Sequence, residues 1–262
     1  LCRALPLTVG GAAICLSLIR KFVLSCCKLC QWIVRWHNSG FSVFFFFFFM
    51  QPSFALFFVT AVAYLLGSLS FAVIVSRLMG LSDPRSYGSG NPGATNVLRS
   101  GNKAAAALTL LLDAFKGWLA VFVVARWGAA WQLGPDALAL AGLAAFIGHL
   151  YPVFFKFKGG KGVATAAGVL LGWAWPVGLL VLGVWILTVA VLRYSSLAAL
   201  VAAVAAAPCY LLGLVTGWWP VYQPVVLAAM VLSALLIWRH RGNIKRLLAG
   251  QEPRVGQKKT AP

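Results

Sequence analysis

Tyr87-Gly88-Ser89-Gly90-Asn91-Pro92-Gly93-Ala94-Thr95-Asn96-Val97-Leu98-Arg99 lies between two long apolar runs, where little polar sequence is expected. Its three glycines let backbone N–H groups turn toward a ligand, because no Cβ stands in the way. Ser89, Asn91, Thr95 and Asn96 add small neutral donors. Arg99 adds a planar, permanently charged fork that matches phosphate oxygens. The stretch reads as a cradle for an oxyanion, most simply a phosphate. A polar cradle pinned between apolar runs also decides the fold class: apolar helices in a membrane, joined by short loops that carry the chemistry.

The runs on either side bear this out. Of 262 residues, 61% are hydrophobic and 10% charged, and the mean hydropathy is +0.90. Apolar segments of about 20 residues, enough to cross a bilayer, recur along the chain. The expected class is an all-α polytopic membrane protein with one membrane domain. Spans are expected over 54–79, 104–124, 137–155, 197–215 and 224–238. Between the third and the last two, Val163 to Leu192 is thirty apolar residues broken at Trp175-Pro176. Pro176 argues for two short or tilted helices there, the first ending near Trp173. That makes seven spans from Met50 onward. It places loops 81–103, 156–162 and 193–196 and the tail 239–259 on one side. Most of the Lys and Arg lie on that side, so it is read as cytoplasmic.

Net charge is +18, with only four acids, Asp83, Asp113, Asp136 and Glu252. Nucleic-acid binding is set aside, because the basic residues sit in short loops between spans, where topology places them. A second loop repeats the chemistry of the first. Lys156-Phe157-Lys158-Gly159-Gly160-Lys161-Gly162 is basic and glycine-rich and also lies between apolar runs. Two such loops suit an anion with more than one charged group.

Residues 1–49 differ from the rest. They contain no acid, five of the six cysteines and a run of six phenylalanines, Phe44 to Phe49. The expectation is that the working chain starts at Met50, that 50–252 is the membrane domain, and that 253–262 is a polar tail. Cys27-Lys28-Leu29-Cys30 is C-x-x-C without further ligands or a thioredoxin-like context.

Nucleotide motifs fail on context. Gly88 to Gly93 spells G-x-G-x-x-G, but no strand precedes it and no βαβ unit surrounds it. Lys161 follows Gly160, yet Phe155 stands where a Walker A loop needs glycine. Asp113 and Lys116 share a helix face within a span, as a structural ion pair or as part of a site. His149, at a span end, reads as a general base or as a hydrogen-bonded structural histidine. In the tail, His240 and Asn243 share a face with Arg246 or Leu247 and are placed to close a phosphate site. The other reading of the tail is a basic amphipathic helix against lipid headgroups.

Four segments together resemble a known family. These are 88–99 (G-S-G-N-P-G-A-T-N-V-L-R), 156–165 (K-F-K-G-G-K-G-V-A-T), 193–197 (R-Y-S-S-L) and 240–247 (H-R-G-N-I-K-R-L). They are similar, in order, to motifs of the bacterial acyl-phosphate:glycerol-3-phosphate acyltransferases of the PlsY type. The resemblance runs from Met50 to about Glu252.

It implies a seven-helix enzyme of the bacterial inner membrane with cytoplasmic motif loops. The enzyme would transfer a fatty acyl group from acyl phosphate to the sn-1 hydroxyl of glycerol 3-phosphate, giving lysophosphatidic acid. It implies no metal or other cofactor, and no acyl-CoA or acyl carrier protein as donor. Carried over motif by motif, the catalytic residues would be Ser89, Arg99, Lys158, Lys161, His240 and Asn243. Substrate or phosphate contacts would come from Gly88, Gly90, Asn91, Gly93, Thr95, Asn96, Gly159, Gly160, Gly162, Ser195 and Ser196. The chemistry agrees: acyl phosphate is already activated, so the protein has to stabilise phosphate charge and position one hydroxyl. A carrier for organic phosphate anions is the alternative. It would place polar residues near the bilayer midplane in repeat-related broken helices, and no internal repeat is visible.

Overall fold

The computed structural model describes residues 52–255. The expectations for residues 1–49 and for the tail beyond 255 lie outside them. The described residues form helices and no strand: α1 (Pro52–Gly67), α2 (Phe71–Leu78), a single turn α3 (Ala94–Val97), α4 (Lys103–Trp127), α5 (Pro135–Leu150), α6 (Val163–Trp173), α7 (Trp175–Leu192), α8 (Ser195–Thr216), α9 (Gln223–Arg239) and α10 (Arg241–Leu248).

Four segments are long and apolar enough to cross a membrane singly: Lys103–Trp131, Pro135–Phe155, Trp175–Leu192 and Ser195–Thr216. Two further spans are possible as bent pairs, α1 with α2 at 44° and α9 with α10 at 56°. At 11 residues, α6 rises only about 16 Å, half a hydrocarbon core. The exterior is apolar as well as the interior. Leu179, Leu180, Ile186, Leu187 and Val191 of α7 are all exposed, as expected of a helix that meets lipid.

The first expected span is not continuous. Ser68, Leu69 and Ser70 interrupt it, and no proline forces the break. Packing does: a Cβ at Gly67 would strike the backbone of Ala145, and one at Gly148 would strike Tyr64 and lie 2.9 Å from the Ser68 nitrogen. The Leu69 carbonyl, freed from the helix, accepts from Lys116 Nζ at 2.6 Å. The third expected span reaches Phe155, but its α-helix ends at Leu150, because Pro152 cannot extend it, and a short tight turn over Val153–Phe155 completes it. The predicted break ahead of Pro176 is present, at Ala174.

Small residues set the central crossing. A Cβ at Gly168 would meet the Ala114 carbonyl, and one at Gly117 would meet that of Thr165, so α4 and α6 pack backbone to backbone. Around them Val121, Phe146, Leu150, Val169, Trp173, Val177, Tyr210 and Leu232 form the largest buried cluster. Its two ring polar groups are satisfied: Trp173 Nε1 donates to the Leu138 carbonyl at 2.9 Å, and the Tyr210 hydroxyl donates to that of Leu170.

Candidate active site

The first glycine loop is built around Asn96, whose side chain is buried. Its Nδ2 donates to the carbonyls of Pro84 at 2.6 Å and Tyr87 at 3.2 Å, and its Oδ1 accepts from Ser89 N–H at 3.0 Å. Gly88 and Gly90 are left-handed, at φ 60° and 65°, and a Cβ on Gly88 would collide with Asn96 Oδ1. Asn96, expected as a phosphate contact, has its amide committed to the loop's own backbone. Gly93 is extended and begins α3. Ser89, Thr95 and Arg99 are exposed, and Arg99 Nη1 makes a long 3.5 Å contact with Asn96 Oδ1.

The second loop is held from both faces. Gly160 N–H donates to the His149 carbonyl at 3.2 Å. From the other side, Arg239 Nη2 donates to the carbonyls of Gly159 at 3.1 Å and Gly160 at 3.0 Å. The Arg239 guanidinium also lies 5.5 Å from the Tyr151 ring centre. A Cβ on Gly160 would strike His149 Nε2 and approach the Pro92 carbonyl to 2.9 Å, so the two glycine loops meet at this residue. Gly162, left-handed at φ 82°, starts α6, with Phe146 and Leu150 where a side chain would stand. Lys161 is half-buried, whereas Lys158 is exposed.

The third component comes from the tail, which folds back. After α10 the chain reaches Val255, whose N–H donates to the Arg193 carbonyl at 2.7 Å. This return carries Glu252 inward. Its Oε1 accepts from Ser196 Oγ and Asn243 Nδ2, both at 2.6 Å, and its Oε2 accepts from Arg246 Nε at 2.8 Å. Burial pushes the Glu252 carboxyl up, and the three donors outweigh this, holding it below the ordinary glutamate range. His240, at the bend between α9 and α10, is 1% exposed. Its Nδ1 lies 2.8 Å from the Leu236 carbonyl, which can only accept. That fixes the tautomer with the proton on Nδ1 and a lone pair on Nε2.

These parts surround a cavity of about 340 Å³ lined by Asn91, Lys161, Arg239, Arg241, Gly242 and Lys245. It brings together four cations and no acid. Burial pushes the Lys161 ammonium down to about 8; Glu252 pulls the other way, and Arg246, Arg99 and Arg239 add to the depression. Arg99 of the first loop is therefore close enough to act on Lys161 of the second. Of the expected residues, Asn91 and Lys161 line the cavity, and two of its cations, Lys161 and Arg239, lie close enough to act on His240. Asn243 and Ser196 join them through Glu252. Lys158, Ser89 and Thr95 remain on the outer surface of their loops, and Ser195 lies half-buried in the first turn of α8. Reading the sequence alone missed Arg239, Arg246 and Glu252 as site residues. Glu252 carried a signal, being one of only four acids in the chain.

The chain resembles known proteins over most of its length. The family described as glycerol-3-phosphate acyltransferase matches residues 57–250. Glycerol-3-phosphate acyltransferase of Paraburkholderia phytofirmans is 60% identical over 203 residues, covering 78% of this chain and 92% of the relative. That of Burkholderia thailandensis is 60% identical over 203 residues, covering 77% and 96%. Two crystal structures of PlsY (YgiH), an integral membrane glycerol 3-phosphate acyltransferase, share its fold at 40% identity. The glycerol 3-phosphate form has a TM-score of 0.68 and covers 77% of this chain and 96% of the other. The lysophosphatidic acid form has a TM-score of 0.66 and covers 76% and 95%. With its helical bundle, its paired glycine loops and a match across most of its length, the chain belongs to the glycerol-3-phosphate acyltransferase family.

Proposed function

We propose that this protein transfers a fatty acyl group from acyl phosphate to the sn-1 hydroxyl of glycerol 3-phosphate at the cytoplasmic face of the bacterial inner membrane. The products are lysophosphatidic acid and phosphate. The observation that carries the reading is the acid-free cationic cavity where the two glycine loops meet. One phosphate belongs to the donor and one to the acceptor, and two loops suit two phosphates.

The side chains divide by what they have left to offer. Lys161, Arg239, Arg241, Lys245 and Arg99 are donors only, and suit phosphate oxygens. Ser196 and Asn243 already donate to Glu252. What remains is lone pairs on Ser196 Oγ, Asn243 Oδ1 and His240 Nε2, with the second N–H of Asn243 Nδ2, and these suit the hydroxyl groups of glycerol. In the reaction the sn-1 oxygen attacks the acyl carbonyl carbon. The new ester C–O bond forms as the bond from that carbon to the phosphate oxygen breaks, and the departing phosphate takes the hydroxyl proton. Cations around the leaving phosphate stabilise the charge that develops there. No Ser-His-Asp relay is required.

The topology is read with seven spans: the four single helices, the bent pair of α1 and α2, α6, and α9, with α10 on the cytoplasmic side. The test is direct. Purified protein with palmitoyl phosphate and glycerol 3-phosphate is expected to form lysophosphatidic acid, and palmitoyl-CoA is expected not to replace the donor. Comparable turnover with palmitoyl-CoA would overturn the donor assignment.

A further inference from the structure

Beneath the lysine loop lies a group of charged side chains that the proposed reaction does not use. Asp113 and Lys116 of α4 stand 2.7 Å apart, with side chains 3% and 1% exposed. His149, at the end of α5, brings Nδ1 to 3.5 Å from the same Asp113 oxygen. Lys116 Nζ also donates to the Leu69 carbonyl at 2.6 Å, within the break between α1 and α2. A buried ion pair is costly to desolvate, and apolar residues of similar volume often serve packing as well or better. Helix packing alone is therefore a weak reason for three ionisable groups here.

Their neighbours supply a better one. The His149 carbonyl accepts the Gly160 N–H at 3.2 Å, and His149 Nε2 stands where a Gly160 Cβ would be. Arg239 closes the other face by bonding the Gly159 and Gly160 carbonyls. The backbone just before Lys161 is thus clamped between Arg239 and the His149 ring, and Asp113 stands beside that ring.

We infer that Asp113, Lys116 and His149 are positioning residues for the glycerol 3-phosphate site. Asp113 orients the His149 ring, the ring is the floor on which Gly160 rests, and that floor aims Lys161 into the cavity. Lys116 balances the Asp113 charge and ties the same floor to the α1–α2 break. The inference rests on the reading that Lys161 binds a substrate phosphate.

The experiment compares wild type, His149→Gln and the double variant Asp113→Asn/Lys116→Met. The double variant removes both charges at once, so no lone charge is left buried. Each protein is purified in detergent and its thermal unfolding measured. Binding of glycerol 3-phosphate is then followed by calorimetry, alongside kinetics with palmitoyl phosphate. Both folded variants are expected to lose about tenfold or more in glycerol 3-phosphate affinity, while KM for the acyl donor stays within about twofold. A folded double variant with wild-type affinity would overturn the inference and leave the charges a packing role. Should the double variant not fold, His149→Gln decides alone, since it leaves the ion pair intact. Wild type that binds glycerol 3-phosphate without turning over acyl phosphate would sink the proposed reaction. The affinity comparison would still decide the cluster's role. Wild type that does not bind glycerol 3-phosphate would overturn both.

Discussion

Arg85 and Arg99 leave the same loop with the same charge, and their surroundings separate them. Arg85 donates from Nε and Nη2 to Asp83, at 3.0 Å and 2.6 Å, and stacks near the Phe155 ring. Among the described residues, Arg99 has only its long contact to Asn96, and it faces the region of Lys161. A charge-assisted hydrogen bond is worth about 1.5–3 kcal/mol, so Arg99→Ala is expected to lower kcat/KM at least about tenfold. Arg99→Lys keeps the charge but not the fork and is expected to remain impaired. Arg85→Ala is expected to change little. Equal losses in folded, inserted proteins would reduce Arg99 to a topological charge. Lys161 adds a pH dependence. Its ammonium holds its proton only to about 8, so phosphate binding is full below that pH and weakens above it. Affinity for glycerol 3-phosphate is expected to fall about fivefold between pH 8 and 9, and Lys161→Arg is expected to flatten that limb. Folding moves the opposite way. The unfolded lysine keeps its proton to about 10.4, so between the two values the unfolded state binds more protons and stability rises with pH. Unfolding measured at each pH therefore separates lost binding from lost structure. Arg99, Lys161, His240 and Asn243 were legible in the sequence because polar side chains cluster in few places in so apolar a chain. Arg239 was not, since a basic residue at a span end is already explained by topology. Only the fold shows its guanidinium gripping Gly159 and Gly160.

At the scale of elements, the legible breaks are the ones that covalent structure dictates. Pro176 announces the α6–α7 boundary, and Pro152 stops α5. The α1–α2 break has no such marker. It arises because Gly67 and Gly148 let two backbones touch and Lys116 takes the released carbonyl, both of which need residues far away in sequence. The return of the tail was hidden for the same reason. Nothing in the spacing after α10 says that Glu252 reaches Ser196. The close approach at Gly160 gives an element-scale prediction. Gly160→Ala adds a Cβ against His149 Nε2 and the Pro92 carbonyl, and backbone on that side has little room to yield. The lysine loop is expected to shift, raising KM for glycerol 3-phosphate about tenfold or more while the helices stay folded. Gly183→Ala, in α7 with nothing within 4 Å of the added carbon, is the control and is expected to stay within about twofold of wild type. If both variants bind alike, the second loop does not fix the acceptor.

At the scale of the molecule, the charges alternate along the connections. The link from α2 to α4 carries Arg85 and Arg99, that from α5 to α6 carries Lys156, Lys158 and Lys161, that from α7 to α8 carries Arg193, and the segment after α9 carries Arg241, Lys245, Arg246 and Arg254. The links between them, 127–134, Ala174 and 217–222, carry no charged residue, though Arg126 stands in the last turn of α4. Lys and Arg are retained on the cytoplasmic side of a membrane during insertion. The proposed seven spans, with α6 crossing despite its length, would put every site loop on one face and give this alternation. Were α6 to turn back instead, the alternation would fail from α7 onward, and Arg193 and the tail would face away from the glycine loops. The contacts between Ser196 and Glu252 would then sit on the wrong side of the bilayer from Arg99. Single cysteines test this, in a background with the native cysteines replaced. Ser86→Cys and Gln251→Cys are expected to react with an impermeant maleimide only when the cytoplasmic face is open. Ala130→Cys and Trp218→Cys are expected to react from the outer side in intact cells. If Ser86→Cys and Gln251→Cys label from opposite faces, α6 does not span, and a single cytoplasmic site assembled from all three loops is ruled out.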